Sequence, residues 1–112
     1  MTTAEIVGMA RRFLKDSVEP YRWKADELRD DVQKALRYLN SRAPHTRYAD
    51  GGGLADFTPL PEGDDEPIPV DERYAEALAM YVAYLAYWDD ATDTVNSERA
   101  ANCLARAKEM MV

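Results

Sequence analysis

Between Tyr74 and Trp88 the chain runs for fifteen residues in which Glu76 is the only charged side chain. Every other position there is Tyr, Ala, Leu, Met, Val or Trp, and neither Gly nor Pro interrupts it. A bilayer-spanning helix needs about 20 apolar residues, so this stretch is too short to span one. A helix apolar around most of its circumference has to be buried by the rest of the protein or by other subunits. On a helical wheel its sides differ in size. Tyr74, Leu78, Tyr81, Leu85 and Trp88 share one side, with Tyr84 at its edge, whereas Ala75, Ala79, Ala83 and Ala86 lie opposite. The bulky side is expected to fill a core and the alanine side to admit a second helix at close range. A central core helix is its simplest role. A domain of this length has trouble covering such a helix on all sides, so the surface around Tyr84 and Tyr87 is also a candidate for packing on a neighbouring subunit.

The chain has 112 residues, which points to one domain with a modest core. Its 21 acidic and 14 basic residues leave a net charge of −7. Gripping nucleic acid needs clustered Lys and Arg, so that role is disfavoured. A protein past which nucleic acid slides without sticking is compatible with the balance. The single cysteine, Cys103, excludes an internal disulfide, and no metal-ligand spacing surrounds it. A soluble protein in a reducing, intracellular setting is expected. The start, Met1-Thr2-Thr3-Ala4-Glu5, does not read as a signal peptide.

Thr2 followed by Glu5 fits a capping box, and Ile6, Met9, Ala10, Phe13 and Leu14 then repeat at helical spacing. A first helix is expected over about 3–15. The linker Asp16-Ser17-Val18-Glu19-Pro20 stops it. Asp26 and Glu27 suit the first turn of a second helix, with Trp23 placed to staple against Leu28. Lys24 is a poor cap. Leu28, Val32, Ala35, Leu36 and Leu39 form an apolar stripe, with Asp30, Asp31, Gln33, Lys34 and Arg37 as the solvated side. Helix two is expected over about 25–40.

Periodicity disappears from Ser41 to Pro69, which holds four of the five glycines and five of the six prolines. A structureless loop of this length is unusual inside a compact domain. Either it pairs short strands, around His45–Ala49 and Ile68–Val70, or it orders against a partner. Asp71 is the expected cap of the central helix, read over about 71–90. After the polar link Asp89-Asp90-Ala91-Thr92-Asp93-Thr94, a fourth helix over about 95–111 carries Val95, Ala100, Leu104, Ala107 and Met111. Ala101 and Ala105 add small surfaces suited to the alanine side of helix three.

Chemistry is harder to find. His45, the only histidine, has no nearby nucleophile or carboxylate in sequence to work with, and reads as an ordinary loop residue. Gly51-Gly52-Gly53 lacks the Gly-Lys-Ser/Thr of a phosphate cradle. Asp64, Asp65 and Glu66 lack the alternating register of a calcium loop. Asp89, Asp90 and Asp93 read as a helix linker. No catalytic, metal-binding or cofactor-binding residue is assigned, and an enzyme is not expected.

One further pattern runs through most of the chain. Tyr21-Arg22-Trp23-Lys24-Ala25-Asp26-Glu27-Leu28 opens helix two, and Ile68-Pro69-Val70-Asp71 leads into the long Ala/Tyr helix. Asp89-Asp90-Ala91-Thr92-Asp93, then Asn96 and Arg99-Ala100, join it to helix four. This resembles the small helical head–tail connector (adaptor) proteins of tailed bacteriophages. Recurring there are an "R-W-x-x-x-E-L" start to helix two, a "P-(hydrophobic)-P-(hydrophobic)" lead-in to helix three and a "D-x-x-x-x-x-N" link to helix four. The chain departs from the pattern at Lys24, where a capping Ser or Asp is usual, and in its Gly-rich loop.

The resemblance implies a virion structural protein made in the host bacterial cytoplasm. It would form a ring, commonly of about twelve copies, beneath the portal. Its partners would be the portal protein and the tail or next connector, and DNA would pass through without sequence-specific binding. No cofactor and no membrane are implied. The expected architecture is all-α, four helices with a long loop or short β-hairpin insertion over about 41–70. Arg47, Tyr48, Leu54 and Phe57 are loop candidates for partner contact, because large side chains on a polar loop are costly without a surface to cover them. Tyr48 and Phe57 folding back on their own core is the competing expectation. Met110 and Met111 dock on a partner or cap the core. Two other roles fit the residues: a small acidic helical interaction or regulatory module binding a protein partner, and a helical enzyme subunit with metal carboxylates at Asp89, Asp90 and Asp93.

Overall fold

The computed structural model describes residues 1–16, 21–47, 58, 60–89 and 94–112. Four helices carry it: α1 (Thr3–Leu14), α2 (Ala25–Arg42), α3 (Ala75–Asp89) and α4 (Thr94–Met110). Pro44–Arg47 and Glu72–Tyr74 are short 3-10 turns. The fold is all-α. Of the insertion's expected strand pair, His45–Arg47 lies in the first of these turns and residues 48 and 49 lie outside the described set. Ile68 pairs elsewhere. Its N–H donates to Met1 O at 2.9 Å, beside an isolated antiparallel bridge between Thr2 and Pro67.

Helix α3 is the hub, touched by α1, α2 and, most extensively, α4. Ala77, Ala79, Ala83 and Ala86 are buried with Leu78 and Val82, so small side chains let backbones approach while the branched ones fill the gaps between them. The α2 stripe Leu28, Val32, Ala35, Leu36 and Leu39 is fully buried, as are Ile6 and Ala10 of α1. From α4 the core takes Ala100 and Ala107; Ala101 and Ala105, expected to face α3, are instead exposed. The bulky side of α3 also departs from expectation. Tyr74 and Leu78 are buried, but Tyr81 and Leu85 are half-buried and Trp88 is 60% exposed. Among the described residues this side of α3 is thus only partly covered. The molecule measures 46 × 27 × 19 Å.

The helix ends follow from named groups. Thr2 Oγ1 accepts from Glu5 N at 3.2 Å, as the capping box requires. At the other end of α1, Lys15 occupies the left-handed region with φ 56°, its N–H donating to Arg12 O and that of Asp16 to Arg11 O. This is a Schellman arrangement, usually closed by Gly. Lys24 makes no side-chain cap, and the approach to α2 is held by Asp16. That buried carboxylate accepts from Arg22 N (2.8 Å), Trp23 N (3.1 Å) and Arg11 Nη1 (2.9 Å). Arg11 also donates to Trp23 O at 3.0 Å and lies 3.8 Å from the Tyr21 ring centroid. Asp71, expected to cap the central helix itself, caps the 3-10 turn that leads into it, through Arg73 N at 2.9 Å.

The described part of the insertion runs back along α2, tied down by polar side chains. Asn40, fully buried, donates to Thr46 Oγ1 (2.7 Å) and accepts from Thr58 N (2.6 Å). Gln33 Oε1 accepts from Leu60 N at 3.2 Å. Arg29 donates to Pro61 O (2.6 Å), Glu62 O (3.1 Å) and the Asp64 carboxylate. Asp64 O then accepts from Ala4 N at 3.0 Å, which brings the segment to α1.

Two stability tests follow. Asn40→Ala strands the buried Thr58 N–H, and is expected to cost about 2–3 kcal/mol in denaturant unfolding and to speed amide exchange at Thr58 and Leu60. Lys15→Gly removes the left-handed penalty of a side chain bearing Cβ and is expected to stabilise by about 1 kcal/mol.

Candidate functional site

Two surfaces on α2 and α3 stand out. The first is aromatic. Tyr38 of α2 stacks on Tyr81 of α3 with centroids 4.5 Å apart and planes 20° from parallel. Tyr84 meets Tyr81 edge-on at 5.2 Å. Beside them Lys34, Arg37, Ser41 and Leu85 complete the walls of a shallow groove of about 340 Å³. Burial, followed by the neighbouring Tyr84 and Tyr38, pushes the Tyr81 hydroxyl pKa upward. Trp88 lies further along α3, more exposed than any residue of the stack.

The second surface is acidic. Glu27, Asp30, Asp31 and Lys34 of α2 share one side at helical spacing and, with Trp23 and Asp89, enclose a pocket of about 320 Å³. Asp31 is 6% exposed. Its pKa is raised from 3.8 to about 6, mainly by burial; Lys34 opposes the shift, and Asp89, Asp30 and Glu27 add to it. Lys34 Nζ lies 3.9 Å from Asp31 Oδ1. Trp23, which forms the aromatic wall, meets Tyr87 edge-on at 6.1 Å and has Arg22 Cζ 5.1 Å from its own centroid.

The residues singled out from sequence scatter. Arg47 is half-buried at the end of its 3-10 turn; Tyr48, Leu54 and Phe57 lie outside the described residues, as do Asp90 and Asp93. Tyr84 belongs to the aromatic surface. Tyr87 does not. It is 6% exposed, and its hydroxyl donates to Phe13 O at 3.1 Å, so its ring joins α1 to α3 inside the chain. Met111 is likewise buried, with Met110 half-buried beside it. Both Tyr87 and Met111 are spent on this chain's own core, which takes them off the surface offered to a partner. His45 Nε2 lies 3.0 Å from Tyr74 Oη, which donates to Val112 O at 2.6 Å. That contact pins a loop to the chain's last residues and presents no nucleophile.

Asp31 was placed on the solvated side of α2, and the structure buries it. The signal was available, since Asp31 follows Leu28 by three and precedes Ala35 by four, the register of the apolar stripe. Its acidic identity masked that position. Trp88 was assigned to core filling because the wheel gives angle and not the number of layers available.

Among the described residues no group of three or more His, Cys, Asp or Glu is close enough to hold a metal ion. Among the same residues no helix is long and apolar enough to cross a membrane. Comparison with family models, curated proteins and solved structures finds no match to this chain.

The Asp31 shift has a definite sign. With the folded value near 6 and the ordinary value near 3.8, the folded state binds the proton more tightly than the unfolded one. Stability from this group is therefore full at about pH 4 and is lost as pH rises through about 6. Asp31→Asn should unfold at about the parent's temperature at pH 4. By pH 7.5 it should unfold about 10 °C higher, as read by thermal melts of the two proteins at matched pH.

Proposed function

We propose that this protein is a head–tail adaptor of a tailed bacteriophage, a virion component that assembles as a ring of about twelve copies beneath the portal. The observation that carries the reading is the half-covered bulky side of α3. Tyr81, Tyr84, Leu85 and Trp88, continued by Tyr38, form a partly exposed aromatic surface. Aromatic residues are enriched in protein–protein interfaces, where Trp and Tyr dominate the binding energy. A neighbouring subunit would complete its cover. The motif order from Arg22-Trp23 to Asn96 supports the same assignment by resemblance.

Charge fits the remaining part of the role. Glu62, Asp64, Asp65 and Glu66 are exposed on the insertion, and the chain carries a net −7. Facing a channel, such groups repel phosphate, so that DNA passes instead of binding. The portal and the tail or next connector are the partners in this reading, and the work is structural rather than catalytic.

The test is solution mass by light scattering across protein concentration, with negative-stain images of the same samples, alone and mixed with a portal ring. Closed rings with a central hole, alone or on the portal, are expected. Trp88→Ser should leave folding stability within about 0.5 kcal/mol while weakening assembly at least about tenfold, the scale of a lost aromatic anchor. A monomer that ignores the portal and instead forms a tight 1:1 complex with a basic protein would replace this reading with that of an acidic interaction module.

A further inference from the structure

The aromatic groove between α2 and α3 carries charge of one sign. Tyr38, Tyr81, Leu85 and Ser41 share its walls with two cations, Lys34 and Arg37, and no carboxylate lines it. Lys34 leans toward Asp31 at 3.9 Å, yet its side chain stays 62% exposed. Arg37 is exposed as well. The opposite charge stands on the insertion. Glu62, Asp64, Asp65 and Glu66 are exposed there with no cation between them, and an exposed Pro67 follows. This turn is already shaped. Glu66 N donates to Gly63 O at 3.2 Å, Asp64 O accepts from Ala4 N at 3.0 Å, and Arg29 holds the Asp64 carboxylate. A turn held in place before contact loses little conformational freedom when it docks.

We propose that the acidic turn 62–67 of a second copy of this chain seats on the groove, so that each subunit offers its turn to the groove of the next. This rests on the ring reading and names the segment that covers the aromatic surface. Carboxylates of the turn meet Lys34 and Arg37, and the proline packs on the Tyr38 and Tyr81 rings, as proline-containing segments do in aromatic grooves. The chain cannot fill its own groove. Arg29 fixes the turn beside the first half of α2, and Arg37 and Ser41 lie about 12–18 Å further along that helix. Glu27, Asp30 and Asp89 flank Lys34 on its other side. They repel a turn that slides past Lys34, which sets the register. Four carboxylates against two cations leave negative charge in excess at the seam, so a channel beside it still repels phosphate. A contact between two unlike surfaces is heterologous, the kind that closes into a ring when its rotation permits.

Two full-length variants test the seat: Arg37→Glu in the groove, and Asp65→Lys with Glu66→Lys in the turn. Asp64 is left in place because Arg29 and Ala4 hold it. Assembly is followed by sedimentation velocity across protein concentration, with and without a portal ring. Each variant alone should assemble at least about tenfold more weakly than the parent, because like charges then face each other. Its melting temperature as a monomer should be unchanged. Mixed one to one, the two variants should recover assembly of parental strength. The reversed turn of one then meets the reversed groove of the other, and the parental pairing forms at the alternate seam. Recovery in the mixture separates a seated turn from a damaged fold. Assembly of parental strength by either variant alone, or no recovery in the mixture, would overturn the seat and leave the ring reading standing. A parent that never self-associates, alone or on the portal, would overturn both.

Discussion

Helix α3 must be hidden from water, and the alanines Ala77, Ala79, Ala83 and Ala86 decide how. Small side chains allow close helix approach, and α1, α2 and, most extensively, α4 pack on α3. Burial of Leu78 and Val82 between these partners contributes roughly 2 kcal/mol each. Ala79, Ala83 and Ala86 share one side of the helix and are buried, whereas Tyr81, Leu85 and Trp88 on the other stay half-buried or exposed.

Where regular structure is missing, polar side chains do the positioning. Asp16 gathers two backbone N–H groups and Arg11, which fixes the angle between α1 and α2 without a capping residue at Lys24. Asn40, Gln33 and Arg29 hold the segment from Thr58 to Asp64 along α2. Each of these is a local hydrogen-bond solution to a backbone that would otherwise be buried and unpaired. The segment therefore needs no strand partner. Of the expected strand pair, His45–Arg47 forms a 3-10 turn and Ile68 meets Met1.

The elements legible in the sequence were those written in spacing. The α2 stripe from Leu28 to Leu39, the Thr2 and Asp71 caps and the central Ala/Tyr helix all appear as the apolar period and the capping chemistry indicate. Boundaries moved: α2 runs on to Arg42, α1 stops at Leu14 because Lys15 turns left-handed, and α3 begins at Ala75, four residues later than expected, after a 3-10 turn. Less legible was which side of a uniformly apolar helix faces in, since Tyr81 and Ala83 are both acceptable core residues. That choice depends on the number of layers, a property of the whole chain. Asn40 and Asp16 were invisible for a related reason, whereas the core register of Asp31 was legible but hidden behind its charge. A polar residue is read as solvated unless its partners, distant in sequence, are known.

Asp16 and Asp31 together show why burial alone does not define a structural role. Both are removed from water to the same degree. For Asp16 the cost is offset by three donors whose geometry the fold itself needs, so replacing it would unmake the turn into α2. For Asp31 only the Lys34 ammonium, 3.9 Å away, opposes the cost, and burial still raises its pKa to about 6. A neutral or apolar residue in that register would pack with Leu28 and Ala35 at no electrostatic expense. The ionised Asp31 carboxylate is therefore a cost to folding that grows as pH rises through about 6, whereas Asp16 is a joint the fold is built on.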